Sequence, residues 1–152
     1  MEMRTNKHIV KKLFVVVAVI LLLHSCNKRE NSSIRKFYKA SKGDETAFLS
    51  LVFTKNTFHG EYEIRYGLLG KDSGAVRGNR YGDTLRGDFC YRSYGGDIKR
   101  VPFVLLESNQ KLKLGTGLIS TYMTIPFYMK GTLEFKDSSF LFEPIEQDQF
   151  GK

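Results

Sequence analysis

Cysteine is nearly missing from this chain, whose 152 residues hold only Cys26 and Cys90. If Cys26 is modified, no intramolecular disulfide can form, and the fold must be stable on burial alone, which about 125 residues can manage. Histidine is almost as scarce. Only His59 lies beyond the first 25 residues, so a zinc site built from three or four His and Cys ligands is excluded. A Ser-His-Asp triad would have to use His59, which no nucleophile motif accompanies. Tryptophan is absent and proline occurs three times. No apolar run approaches the roughly 20 residues that a membrane-spanning helix needs. The longest, Leu13 to Leu23, holds 11 residues.

That run has meaning in its place. Arg4, Lys7, Lys11 and Lys12 precede it, and the polar stretch Asn27-Lys28-Arg29-Glu30-Asn31-Ser32-Ser33 follows. A basic start, a short greasy core and small residues at its end are the pattern of a secretory signal. The run closes in Leu23-His24-Ser25-Cys26. Leu23, Ser25 and Cys26 resemble the lipobox of bacterial lipoproteins, with His24 standing where Ala, Ser, Thr or Val is usual. The resemblance implies cleavage before Cys26 and lipid on its thiol. Acyl chains contribute about 0.8 kcal/mol per buried methylene, so two or three hold a domain on a membrane without a spanning segment. The expected organisation is a signal peptide over 1–25, a lipidated Cys and flexible tether over 26–44, and a β domain over 45–152. Asn27 is not the Asp of inner-membrane retention, and no acidic cluster resembling a surface-export signal follows it. Both favour an outer-membrane position on the periplasmic face over the cell surface.

Loss of residues 1–25 removes four basic residues and Glu2, lowering the net charge from +8 to +5. That charge is modest and spread along the chain, and nucleic acid is not an expected partner outside the cytoplasm.

From Glu45 onward, short β-prone runs alternate with Gly, Asn and Asp. Ala47–Phe53 is apolar, and Lys55-Asn56-Thr57 supplies a turn. Phe58, Gly60, Tyr62, Ile64 and Tyr66 then alternate with His59, Glu61, Glu63 and Arg65, the period of a strand with one face on a core. A connection from Gly67 to Gly74, turning at Lys71-Asp72-Ser73-Gly74, leads to a strand through Val76–Tyr81. Gly82-Asp83 turns into Thr84–Tyr91, where Leu85, Gly87, Phe89 and Tyr91 share a face. Val101–Leu106 is apolar on both faces, and Pro102 predicts an edge position or a bulge at its start. Asn109-Gln110 turns into Leu112 and Leu114. A last hairpin is expected from Thr132–Phe135 and Ser139–Phe142, turning at Lys136-Asp137-Ser138. One helical turn or two is expected around Ser33–Lys42, and Ser120–Phe127 reads as a lid-like loop or a short irregular strand. About eight strands at spacings near ten residues predict an all-β fold. Glycines within strands, at Gly60, Gly78, Gly87 and Gly115, favour a curled antiparallel meander barrel over a flat sandwich.

No residue set assigns catalysis. Glu61 and Glu63, two apart on one strand face, lie roughly 6 to 7 Å apart. That spacing suits two-carboxylate glycoside chemistry, yet beside Arg65 it reads as a charge-balanced solvated face. Asp72 and Asp83 are explained by turn chemistry, and no calcium loop surrounds them. Cys90 reads as a small strand residue, since no base or positive field is evident beside it. Phe58, Tyr62, Tyr66, Phe89, Tyr91 and Phe103 alternate inward, as core filling or as the lining of a ligand cavity. The candidate ligand residues are Tyr62, Tyr66, Phe89 and Tyr91.

The order Gly60–Ile64, Lys71–Gly74, Gly82–Phe89 and Val101–Leu106, with the lipobox, resembles small envelope lipoproteins of the Bacteroidota. The resemblance covers about half of the chain and implies a lipocalin-like barrel on a lipid anchor, with no activity attached. The expectation is a non-enzymatic envelope protein, needing no cofactor or metal, that binds a small amphipathic ligand or an envelope partner. A structural or accessory subunit of an envelope complex with no cavity is the alternative, and a glycan- or lipid-acting enzyme comes third.

Overall fold

The computed structural model describes residues 34–152. The expected signal peptide over 1–25, the lipobox-like Leu23–Cys26 and the expected lipidation of Cys26 fall outside the described residues. The strands are β1 Arg35–Lys42, β2 Glu45–Phe53, β3 Thr57–Tyr66, β4 Lys71–Tyr81, β5 Thr84–Arg92 and β6 Ile98–Ser108. After them come β7 Lys111–Leu114, β8 Ile119–Tyr122, β9 Ile125–Tyr128 and β10 Leu141–Ile145. Eight of these close an antiparallel barrel in the order β1-β10-β7-β6-β5-β4-β3-β2, while β8 and β9 form a separate two-stranded sheet. The chain is thus a seven-strand meander whose closing strand, β10, arrives after an excursion. Turns at 54–56, 82–83 and 109–110 lie at the end where Ile34 enters, called the near end below. Those at 43–44, 67–70 and 93–97 lie at the far end.

The alternation seen in the sequence becomes the inside and outside of this barrel. Phe58 and Tyr62 from β3, Val76 from β4, Leu85 and Phe89 from β5, and Phe103 and Leu105 from β6 pack together within it. Leu49 and Leu51 from β2 and Phe142 from β10 complete that core. The curl is set by glycine. A Cβ at Gly60 would collide with the Ser50 carbonyl of β2, and Gly78 faces Gly87 across β4 and β5 so closely that neither could carry one. Strands approach at these points as a narrow barrel requires.

Five expectations are corrected. Residues 35–42 form β1, not a helical turn, and the expected tether over 26–44 gives way to barrel by Arg35. Only Tyr38 and Ala40 of β1 are buried inward, and outward Phe37 spoils the visible alternation. Lys71–Gly74 is the start of β4 and not a turn; the turn is 67–70, where the Tyr66 amide donates to the Gly70 carbonyl. Thr132–Phe135 forms no hairpin with Ser139–Phe142. It meets Thr116 through an isolated Thr116–Glu134 bridge, and β10 pairs with β7 and β1 instead. The irregular stretch at Ser120–Phe127 is a regular hairpin of β8 and β9, turned by Met123 and Thr124, both at positive φ.

Pro102 lies inside β6, opposite Asp88 of β5. The Gly115 amide donates to the Val104 carbonyl, so Pro102, two residues away, directs its nitrogen to the same side, away from β5. Pairing with β7 begins only at Leu105, so no ladder hydrogen bond is lost.

Candidate functional site

The barrel interior is occupied by its own aromatic rings. The Tyr62 ring lies 4.8 Å from that of Phe89, 5.2 Å from Phe103 and 5.8 Å from Phe142. Phe89 in turn stacks on Tyr91 at 4.4 Å. Of the four candidate ligand residues, Tyr62 and Phe89 are each 3% exposed, while Tyr66 and Tyr91 are half-buried toward the far end. The structure places the four on the inner faces of β3 and β5, where Phe89 joins Tyr62 to Tyr91 through ring contacts. No cleft among those found in the described residues is lined by them as a set.

One group in this packing is unsatisfied. The Tyr62 hydroxyl is the only buried side-chain polar atom among the described residues without a hydrogen-bond partner. Burial, reinforced by Tyr66 and Glu45, pushes its phenol far above the ordinary tyrosine range. At the far end the Tyr66 hydroxyl donates to Asp72 at 2.9 Å, and burial and that carboxylate both push Tyr66 up. Asp72 also accepts the Tyr94 amide at 2.9 Å, tying the start of β4 to the loop at 93–97. At the near end Arg80 reaches from β4 to Glu107 of β6 at 2.6 Å, with its guanidinium over Phe53. Tyr38, above this pair, is pushed up to about 12 by burial and the Glu107 charge. An ion pair thus covers one end of the aromatic core and a carboxylate clip the other.

The outer groups offer little chemistry. His59 and Glu61 are exposed on β3. Glu63 is held by Arg65 at 2.7 Å and Lys71 at 2.8 Å. Burial pushes that carboxyl up, but the two cations outweigh it and hold it below its usual range. The spaced carboxylates therefore do not act as a pair. Cys90 is exposed on the outer face of β5, opposite Ala75 and Arg100. Arg100 is bound to Asp88 through two hydrogen bonds of 3.0 Å. Among the described residues, no three His, Cys, Asp or Glu side chains gather as a metal site.

Two outer features were not legible in the sequence. The C-terminal segment, with a 3₁₀ turn at Gln147–Gln149, returns to the barrel wall and places Phe150 edge-on to Phe37 at 5.3 Å and Phe48 at 5.8 Å. Arg65 lies over Phe48 at 4.8 Å and donates to the Gly151 carbonyl, so Phe48 is only 1% exposed although it points outward. The second feature is the β8–β9 hairpin. Its register puts five apolar residues, Leu118, Tyr122, Ile125, Phe127 and Met129, on one face around half-buried Ser120, with Ile119 on the other face. All five are exposed, as is Met123 at the tip. The Tyr128 hydroxyl, on the other face, is anchored to the Gly115 carbonyl at 3.1 Å. A cleft of about 380 Å³ separates the hairpin from the wall, bounded by Arg86, Pro102, Val104, Phe127, Met129 and Lys130 among others. A signal existed for it: residues 115–133 contain no acidic residue and one cation, Lys130.

The chain matches no family model, no curated protein and no solved structure.

Proposed function

We propose that the chain is a lipid-anchored protein of the cell envelope that works through the outside of its barrel, by contact with an envelope partner. The observation that carries this reading is the packing of the interior. A ligand pocket of useful size encloses about 300 Å³ or more, whereas Tyr62, Phe89, Phe103 and Phe142 fill the space where a lipocalin-like carrier would hold its cargo. The large apolar side chains still facing solvent lie on the hairpin, on the loop tips at Leu68, Leu69 and Tyr94, and at strand ends at Ile34, Tyr81, Ile98 and Leu141. The anchor is Cys26, and the position that fits the sequence after it is the outer membrane on its periplasmic face. On this reading the domain needs no cofactor and performs no catalysis, as an accessory subunit of an envelope complex would not.

A small amphipathic ligand at the far end is the second reading. The unpartnered Tyr62 hydroxyl is the observation that favours it. Native mass spectrometry of the domain from envelope extracts separates the two. The expected result is the mass of the bare domain or of a protein complex, and a retained small molecule would replace the first reading by the second. The anchor is tested by Cys26→Ser, which should appear as uncleaved or soluble material. Unchanged membrane fractionation and electrophoretic mobility would remove lipid from the account.

A further inference from the structure

The β8–β9 hairpin carries an apolar face that stays largely exposed, although its Phe127 and Met129 border the cleft beside the barrel wall. Exposure is 65% at Leu118, 68% at Tyr122, 53% at Ile125, 42% at Phe127 and 46% at Met129. A fold that buries outward Phe48 under Phe150 has a means of covering apolar surface, and it leaves this face open. From the packing and the charge pattern we infer that the hairpin is a membrane-contact element, seated in the headgroup region of an anionic bilayer.

Three observations select a lipid surface over a protein partner. The first is charge. Nineteen residues from Gly115 to Leu133 hold no carboxylate, so nothing on the hairpin repels phosphate. The cations bordering the cleft, Arg86 on β5 and Lys130 beyond β9, stand beside the apolar face as interfacial cations do. Asp88, the nearest acid along β5, is already bound by Arg100. The second is composition. Tyr122 and Phe127 among Leu, Ile and Met give an apolar body with a polar handle, the combination that suits the interface between acyl chains and water. The third is reach. Ile34 follows Cys26 by eight positions, and at most about 3.5 Å for each step allows about 28 Å. A domain anchored at Cys26 therefore stays within reach of the bilayer, and a hairpin seated on the wall at Pro102 and Val104 can touch it. This last point rests on the proposed anchor; the first two do not. The acyl chains of such an anchor hold the domain at the membrane, and a second contact fixes which side of the barrel faces away.

The test removes the anchor. A chain beginning at Asn27 keeps every barrel strand and every core residue, all within 34–152, so the domain folds without what precedes it. It is mixed with vesicles of phosphatidylethanolamine and phosphatidylglycerol, or of phosphatidylcholine alone, and floated on a density gradient. The anchor-free domain should float with the anionic vesicles and weaken as salt rises. Ile125→Asp with Phe127→Asp should lower partitioning by roughly tenfold or more, about 1.4 kcal/mol for each tenfold. Arg86→Gln with Lys130→Gln should lower it several-fold and flatten the salt dependence. These positions are exposed, so an unchanged circular dichroism spectrum and melting temperature show each variant folded. Absence of flotation on anionic vesicles at low salt would overturn the inference, as would equal flotation of the Asp variants. A dimer that the Asp variants dissociate, with flotation unchanged, would assign the face to a second copy of this chain instead. Because the measured protein lacks Cys26, loss of the anchor reading leaves this result untouched.

Discussion

Replacing Tyr62 by Phe should stabilise this protein, against the usual direction for trimming a core side chain. A buried hydroxyl left without a partner costs about 1–3 kcal/mol in lost solvation, and the Tyr62 hydroxyl has no partner although the residue is 3% exposed. The opposing effect is a void of one oxygen atom. At about 24 cal/mol per Å³ this costs a few tenths of a kcal/mol. The ring contacts with Phe89, Phe103 and Phe142 are kept, so the net gain is about 1 kcal/mol, or roughly 4 °C in melting temperature for a domain of this size. Urea denaturation at pH 7, followed by far-ultraviolet circular dichroism, measures it. The pH dependence gives a second handle. Burial raises the folded pKa of Tyr62 above its unfolded value, so its contribution is fully present below about pH 10 and is lost as pH rises toward the folded value. At pH 11 the wild-type chain should have lost on the order of 1 kcal/mol through this group alone. The advantage of the variant should therefore widen from pH 7 to pH 11, while Tyr38, pushed up to about 12, acts equally in both proteins. A variant less stable than wild type at pH 7, or a gain that does not grow with pH, would refute the reasoning and mean that the hydroxyl is satisfied.

Two further changes probe the wall. Phe150→Ala removes both edge-on contacts and uncovers Phe48, costing about 2 kcal/mol from two aromatic pairs and the burial lost around them; urea midpoints of the two proteins measure it, and a change below about 0.5 kcal/mol would show that the C-terminal segment does not hold the wall. Gly60→Ala drives a methyl into the Ser50 carbonyl, backbone that cannot yield without moving β2. The cost should be about 3 kcal/mol or more, beyond ordinary overpacking, and a folded variant of near wild-type melting temperature would show that the strands are not pressed together there.

The strands with one face on the core were legible because alternation is local. Phe58 to Tyr66 and Leu85 to Tyr91 announce their inner faces without any knowledge of neighbours. Where a strand serves two packing partners, the pattern is lost. Phe37 in β1 faces Phe150, more than a hundred residues away, so the segment reads as polar and irregular. Lys71–Gly74 carries turn residues but is pinned as strand by pairing with Glu63 and Arg65 across the ladder. The candidate site shows the same division. Inward placement of Tyr62, Tyr66, Phe89 and Tyr91 follows from their spacing. Whether they line a space or fill it depends on how Phe103 and Phe142 approach from other strands.

By itself, then, the sequence determined an all-β fold built on glycine-curled strands, following a short apolar run that ends at Leu23. These follow from composition and from periods of two residues. Tertiary structure alone decided that β10 closes the barrel between β7 and β1, that Arg80 and Glu107 cover one end, that Phe150 covers the outside of β2, and that the β8–β9 face is left bare. Each depends on groups brought together from distant parts of the chain, where local propensity is silent and the geometry of closure chooses the partner.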